Sequence, residues 1–175
     1  TPLDNSLVIL TTKATDLHDT LEEISPFIKS STHLLALQNG LGISDIIYNH
    51  PNLNITSDQL YRGIVGFGAT FIEPGSIRFW GGKLIVEERV SSTPYNDILS
   101  DTIINYLTTT NIKKRIWRKV VINSIYNPLS VLLKVDNETI SQHQLNPLKE
   151  TLLDEGEAVA QSEGIVTGIN LEELN

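Results

Sequence analysis

Leu7-Val-Ile-Leu-Thr-Thr12 and, after a helical interval, His33-Leu-Leu-Ala-Leu-Gln38 followed by Asn39-Gly40 are the stretches that decide the fold. Each is a short aliphatic run without polar alternation, the composition of a strand buried on both faces of a parallel sheet. Between them, Leu17, Leu21, Ile24 and Ile28 recur at helical spacing over Asp16 to Ile28, interrupted late by Pro26. Gly42 to Asn49 reads as a second, short helix. Strand, helix, strand, helix is the doubly wound α/β pattern, in which ligands gather beyond the carboxyl ends of the strands. Lys13 and Asn39 both fall at such ends.

Downstream, Tyr61 to Ile72, Ile77 to Phe79 and Leu84 to Val86 read as strands, with Glu73-Pro74-Gly75 as a turn. They predict an antiparallel extension of the sheet. Asn96 to Leu107 is predicted to be a helix, because Leu99, Ile103 and Leu107 recur every four residues and Ile104 widens that face. The character then turns helical. Ile112 to Val135 is the longest periodic stretch, and Leu145 to Gly164 is another, with Gly164 as its stop. The boundary falls near Thr108 to Asn111, dividing an α/β part (1–110) from a helical part (111–175).

Composition narrows the function. The chain has 175 residues, 40% hydrophobic and 19% charged, which describes a folded rather than a disordered segment. A net charge of −8 argues against nucleic acid or an anionic membrane as partner. The sequence shows neither a bilayer-spanning apolar run nor a secretory signal, so a cytoplasmic location is expected and Asn54-Ile-Thr56 and Asn137-Glu-Thr139 are chance glycosylation patterns. Without Cys there is no disulfide and no thiolate nucleophile. His18, His33, His50 and His143 lack ligand spacing, so no metal site is expected. Lys113-Lys114-Arg115 with Arg118 and Lys119 reads as a charged helix start facing water that helps to attract an anionic oxoacid or phosphate.

The chemistry concentrates in Ile116-Trp-Arg-Lys-Val-Val-Ile-Asn-Ser-Ile-Tyr-Asn-Pro-Leu-Ser130. Lys119, Asn123 and Asn127 are four residues apart, one stripe of a helix drifting about 40° per step. Val120, Val121, Ile122, Ile125 and Leu129 surround it with apolar side chains. Amides removed from water must be hydrogen-bonded, and a desolvated ammonium becomes a stronger acid suited to proton transfer. Pro128 cannot donate to the carbonyl of Ser124 and is predicted to kink the helix there. From spacing alone, a solvated helix edge with an ordinary surface lysine accounts for the stripe equally well.

Trp117-Arg-Lys119, then Asn123, then Asn127-Pro-Leu129, resembles the signature helix of the ketopantoate reductases (2-dehydropantoate 2-reductases). Thr12-Lys13-Ala14, Leu37-Gln-Asn-Gly-Leu-Gly42, and Gly68-Ala69-Thr70 with Glu73-Pro74-Gly75 are similar to further motifs of that family, in the expected order. Asn137-Glu138 is similar to another, usually Asn-Gly-Glu. The resemblance implies a partial Rossmann-like, NADP-binding domain lacking its first strands, followed by the first helices of an all-helical domain for substrate and dimerisation. It implies NADP(H) as cofactor, a small 2-oxoacid as substrate, and reduction of 2-dehydropantoate to pantoate. It makes Lys119 the general acid and assigns Asn123 and Asn127 to the substrate, with Asn137 assisting them or bracing the loop. Lys13, Asn39, Gly40 and Ala69 become cofactor-binding positions. Glu155 resembles an acidic position of the family.

The family's opening strand and Gly-x-Gly-x-x-Gly turn do not precede Thr1, and its distal Ser and Glu do not occur before Asn175. Gly40-Leu-Gly42 follows a strand but lacks the third glycine of that fingerprint. The expectation is therefore the middle portion of a longer reductase, inactive as this segment alone. Two rival readings stay open: a reductase of another 2-oxoacid, and a non-catalytic relative used for cofactor sensing or protein association. The stripe of Lys119, Asn123 and Asn127 counts against the second.

Overall fold

The computed structural model describes residues 3–175. The chain forms two compact units, Thr1–Ile112 and Lys113–Asn175. In the first, β1 (Leu7–Leu10), α1 (Leu17–Ile24), β2 (His33–Ala36), α2 (Ile43–Tyr48) and β3 (Leu60–Val65) follow in order. β4 (Gly68–Glu73), β5 (Ser76–Trp80), β6 (Lys83–Glu87), α3 (Tyr95–Ser100) and β7 (Asn105–Thr109) complete the unit. The main sheet has the order β1-β2-β3-β6-β7. β1, β2 and β3 run parallel, β6 is antiparallel to β3, and β7 is parallel to β6.

β2 becomes a central strand because both sheet faces are covered there, whereas β1, at the sheet edge, is not buried on both faces as its composition predicts and leaves Ile9 44% exposed. Successive side chains point to opposite faces, so Leu34, Ala36 and Leu60 pack with Leu17 and Leu21 of α1 and Ile43 and Ile47 of α2. On the other face Leu35, Tyr61, Leu84 and Val86 pack with Val90, Tyr95 and Leu99. Pro26 closes the first helical stretch as the sequence implies: α1 ends at Ile24 and a single 3-10 turn, Ser25–Phe27, carries the proline.

Two expectations are corrected. The strands after Tyr61 do not all extend the sheet. β3 stops at Val65, and β4 and β5 pair only with each other as a separate two-stranded ribbon, from Gly68↔Trp80 to Glu73↔Ser76. The antiparallel extension is made by β6, through Gly63↔Val86 to Val65↔Leu84. The helix expected over 96–107 is also replaced, by the short α3 and then β7. Leu99 is buried, but Ile103 is 93% exposed, so the four-residue apolar period does not mark one buried face. Thr102 turns the chain, its hydroxyl donating to the carbonyl of Leu99, and the segment then pairs with β6 from Lys83↔Asn105 to Glu87↔Thr109. Ladder pairing outweighs a weak helical period there, aided by β-branched Thr108 and Thr109.

The second unit contains all but the first residue of α4 (Ile112–Leu133), with α5 (Asn137–Ile140) and α6 (Asn146–Ser162). Trp117, Val121, Ile125 and Leu129, four residues apart, are the buried stripe of α4. Val121, Ile125 and Leu129 pack with Ile140, Leu153, Ile169 and Leu174. α4 and α6 approach closely at Gly156, where a Cβ would meet Val121 Cγ1 at 2.9 Å. Lys149 of α6 is fully buried. Its ammonium donates to the carbonyls of Ser141 at 3.2 Å, Gln142 at 3.3 Å and Leu174 at 2.9 Å, and to Asn175 Oδ1. Among the described residues, no helix is long and apolar enough to cross a membrane.

Candidate functional site

The cofactor-side candidates share one end of the sheet in the first unit. Leu10 and Ala36 are register partners at the carboxyl ends of β1 and β2. Lys13 and Asn39 lie three residues beyond these partners, both exposed to solvent. Gly40 follows with φ = 102°, a left-handed conformation that a side chain would strain. The turn is thus built by glycine so that Asn39 stands open at the strand end. β3 runs parallel to β2, so the chain leaves β3 toward the same end before reaching exposed Ala69 in β4. Ala69 is paired with Phe79 across the ribbon, and the Phe79 and Phe67 rings lie 5.3 Å apart. Two cavities of the unit lie elsewhere, at the amino ends of β1–β3. One, of about 630 Å³, is lined by Glu87, Arg89, Thr109 and Thr110; the other, of about 490 Å³, by His33 and Tyr95. Position at the strand carboxyl ends, where doubly wound sheets bind ligands, outweighs cavity size in choosing the site.

The proton-transfer candidates lie on α4 in the second unit. Lys119 and Asn123 are half-buried and Asn127 is exposed. The core stripe of Trp117, Val121, Ile125 and Leu129 is offset by two residues, about 200° around the helix. The polar stripe therefore occupies the face away from the unit's own core. It is not a wholly solvated edge either. Burial pulls the Lys119 ammonium below the ordinary lysine pKa, making it a stronger acid. Asn137 is the exposed first residue of α5. The residue before it, Asp136, caps α5 by accepting from the backbone N–H and the hydroxyl of Thr139, both at 2.8 Å. Those bonds hold the Asp136 carboxyl below its usual pKa. Glu155 is exposed on α6.

Sequence reasoning passed over two buried polar residues beside Asn39. Gln38 and Arg62 are each nine-tenths or more buried. Arg62 Nη2 donates to the main-chain carbonyl of Gln38 at 3.3 Å. A signal was present: Arg62 is a charged residue inside the otherwise apolar-and-glycine strand Leu60–Val65.

The chain matches the family described as "Ketopantoate reductase PanE/ApbA" over residues 3–89 and that family's C-terminal part over residues 111–174. It is 28% identical over 166 residues to the 2-dehydropantoate 2-reductase of Lactococcus lactis subsp. lactis, covering 91% of this chain and 52% of the relative. It is 30% identical over 179 residues to that of Streptococcus pyogenes serotype M1, covering 96% and 55%. The chain thus spans about half the length of the curated relatives it matches. A solved D-mandelate dehydrogenase in complex with NADH superposes with a TM-score of 0.79 at 28% identity, over 96% of this chain and 57% of that one. A dimeric ketopantoate reductase from Staphylococcus aureus shares the fold, with a TM-score of 0.75 at 18% identity over 96% and 60%. With both parts of the chain matched in order, the protein belongs to the ketopantoate reductase family.

Proposed function

We propose that the full-length protein reduces a 2-oxoacid to the 2-hydroxy acid with a nicotinamide nucleotide, and that the substrate is 2-dehydropantoate with NADPH as donor. The observation that carries this reading is Lys119: a half-buried ammonium, acid-strengthened by desolvation, on one helical stripe with two amides. The first unit supports part of a dinucleotide site, because Asn39 on a glycine-shaped turn and Lys13 are both exposed at the carboxyl ends of two parallel strands. In this reading Lys13, Asn39, Gly40 and Ala69 hold the nucleotide, and residues 1–110 and 111–175 divide cofactor from substrate binding. The nucleotide, when bound, supplies the hydride. Lys119 Nζ gives its proton to the ketone oxygen, and its charge stabilises the oxyanion that develops as the carbonyl is reduced. Asn123 and Asn127 offer amide donors and acceptors at one-turn intervals, which suits the hydroxyl and carboxylate of the substrate. Asn137, at the start of a capped helix, is available to either.

A second reading is reduction of a different, bulkier 2-oxoacid. It is favoured by the likeness to D-mandelate dehydrogenase, whose ternary structure with NADH and anilino(oxo)acetate also superposes with a TM-score of 0.79. One assay separates the two. NADPH or NADH oxidation by full-length protein is followed with 2-dehydropantoate and with the 2-oxoacid of mandelate, and kcat/KM ranks the four pairs. Lys119→Ala is expected to lower kcat by roughly 10²–10⁴-fold with substrate affinity changed far less. An unchanged rate in that variant removes Lys119 as the acid.

A further inference from the structure

Arg62 is buried with no salt bridge among the described residues, and the charge of Glu87, beyond salt-bridge distance, offsets its desolvation only in part. It sits in the middle of β3, nine-tenths buried, and desolvation lowers its pKa to about 10, leaving it charged at neutral pH. Extending the β3–β6 ladder by one pair sets it opposite Glu87. The Glu87 carboxylate, however, accepts from Arg89 Nη2 at 2.7 Å. What Arg62 does hold is the carbonyl of Gln38, at 3.3 Å. Arg62 Nη1 and both side-chain atoms of Gln38 are buried without a hydrogen-bond partner. A guanidinium kept in this state costs stability, and an apolar side chain of similar volume is often neutral or better at such a place. Its retention calls for a purpose other than stability.

The place of its bond supplies one. Gln38 is the last residue before the Asn39-Gly40 turn, and the Leu37 N–H is already held by the carbonyl of Leu10 at 3.1 Å. Beyond the turn, α2 begins with the Ile46 N–H donating to the carbonyl of Gly42 at 3.0 Å. The stretch between those two anchors is short and glycine-rich, with Gly40 and Gly42 both at positive φ. A backbone this free needs an external hold to present Asn39 in one orientation.

We infer that Arg62 is a positioning residue, a buried guanidinium whose Nη2 bond fixes the Gln38 carbonyl and thereby orients the Asn39-Gly40 turn toward a nicotinamide nucleotide. The inference rests on the proposed function for the identity of the ligand. It does not rest on it for the effect on the turn. Arg62 touches no ligand in this account; it acts through the main chain.

The test uses full-length protein with Arg62→Met, which keeps the length of the side chain, and Arg62→Lys, which keeps one charged donor. Hydrogen exchange of the peptide spanning 38–42 is measured without ligand, and NADPH and NADH affinities are measured by fluorescence titration. In Arg62→Met, exchange across 39–42 is expected to rise at least fivefold while Tm stays equal or increases, and nucleotide affinity to fall at least tenfold. Arg62→Lys should restore most of that affinity. A purely structural arginine gives the opposite split, a lower Tm with unchanged affinity in the folded protein. Unchanged exchange over 39–42 overturns the inference, as does faster exchange with unchanged affinity. Wild-type protein that binds neither nucleotide sinks the proposed function instead, and the exchange measurement still decides whether Arg62 orients the turn.

Discussion

At the scale of single residues, two lysines show how environment separates roles. Lys119 is half-buried on a polar stripe, and desolvation weakens its hold on a proton. If Lys119 is the acid, as proposed, it must start protonated in the ketone-reducing direction, so kcat should fall as pH rises through its pKa. That descending limb is expected below the ordinary lysine range, and a pH–kcat profile of full-length protein against Lys119→Arg checks it. In the arginine variant the limb should disappear or move to higher pH. Lys149 is also pulled below the lysine range by burial, and its ammonium donates to three carbonyls and one amide oxygen inside the unit's own core. Lys149→Met leaves buried acceptors unfilled and should destabilise the second unit by about 2–3 kcal/mol, read as a lower midpoint in urea. The lysine stripe was legible from spacing, whereas Lys149 was not. It lies four residues before Leu153 on an ordinary amphipathic helix, and nothing local says that the C-terminal turn covers it.

At the scale of elements, β2 and α1 bury the side chains that their own patterns mark. β1 is a strand but, at the sheet edge, leaves Ile9 exposed, and α4 leaves Val131 and Leu132 exposed at its end. The failures lie where local pattern and pairing compete. Residues 96–107 carry a helical period, yet β6 recruits Asn105–Thr109 as a parallel edge strand. The stretch from Tyr61 to Ile72 reads as one strand, yet it divides around Gly66 and Phe67, and the second half pairs as a ribbon. Where helices meet, the sequence offers one sharp check. Gly156 faces Val121 so closely that a Cβ would stand 2.9 Å from its Cγ1. Gly156→Val should therefore push α6 from α4 at a cost of about 1–3 kcal/mol, despite its better helix propensity. A thermal melt that shows stabilisation would mean that the helices have room to spare.

At the scale of the whole molecule, the chain carries a net charge of −8 and is expected to act on a small anion. The net charge of this chain disfavours an anion, so local cations must offset it there. Lys113 and Arg115 are exposed at the start of α4, one to two turns before Lys119, while Arg118 is tied to Glu173 and to the carbonyl of Thr167. Reversing Lys113 and Arg115 to Glu should raise KM for the 2-oxoacid several-fold at low ionic strength with little change in kcat. The difference should fade as salt shortens the screening length below about 10 Å. A salt-independent KM difference would point to direct contact instead of steering. The family itself was readable from ordered short motifs, because each marks a turn or stripe whose geometry depends on a few residue types.

By itself, the sequence determined that a parallel α/β sheet is followed by helices, that Lys119, Asn123 and Asn127 share a stripe, and that Lys13 and Asn39 lie at strand ends. These are consequences of local periodicity and chain order. Tertiary structure decided that residues 105–109 are a strand, that β4 and β5 stand apart, that Lys149 is enclosed, and that Arg62 grips the Gln38 carbonyl. Each of those depends on which distant backbone is near enough to pair with or to exclude water. That proximity is a property of the folded chain, carried by no single segment of it.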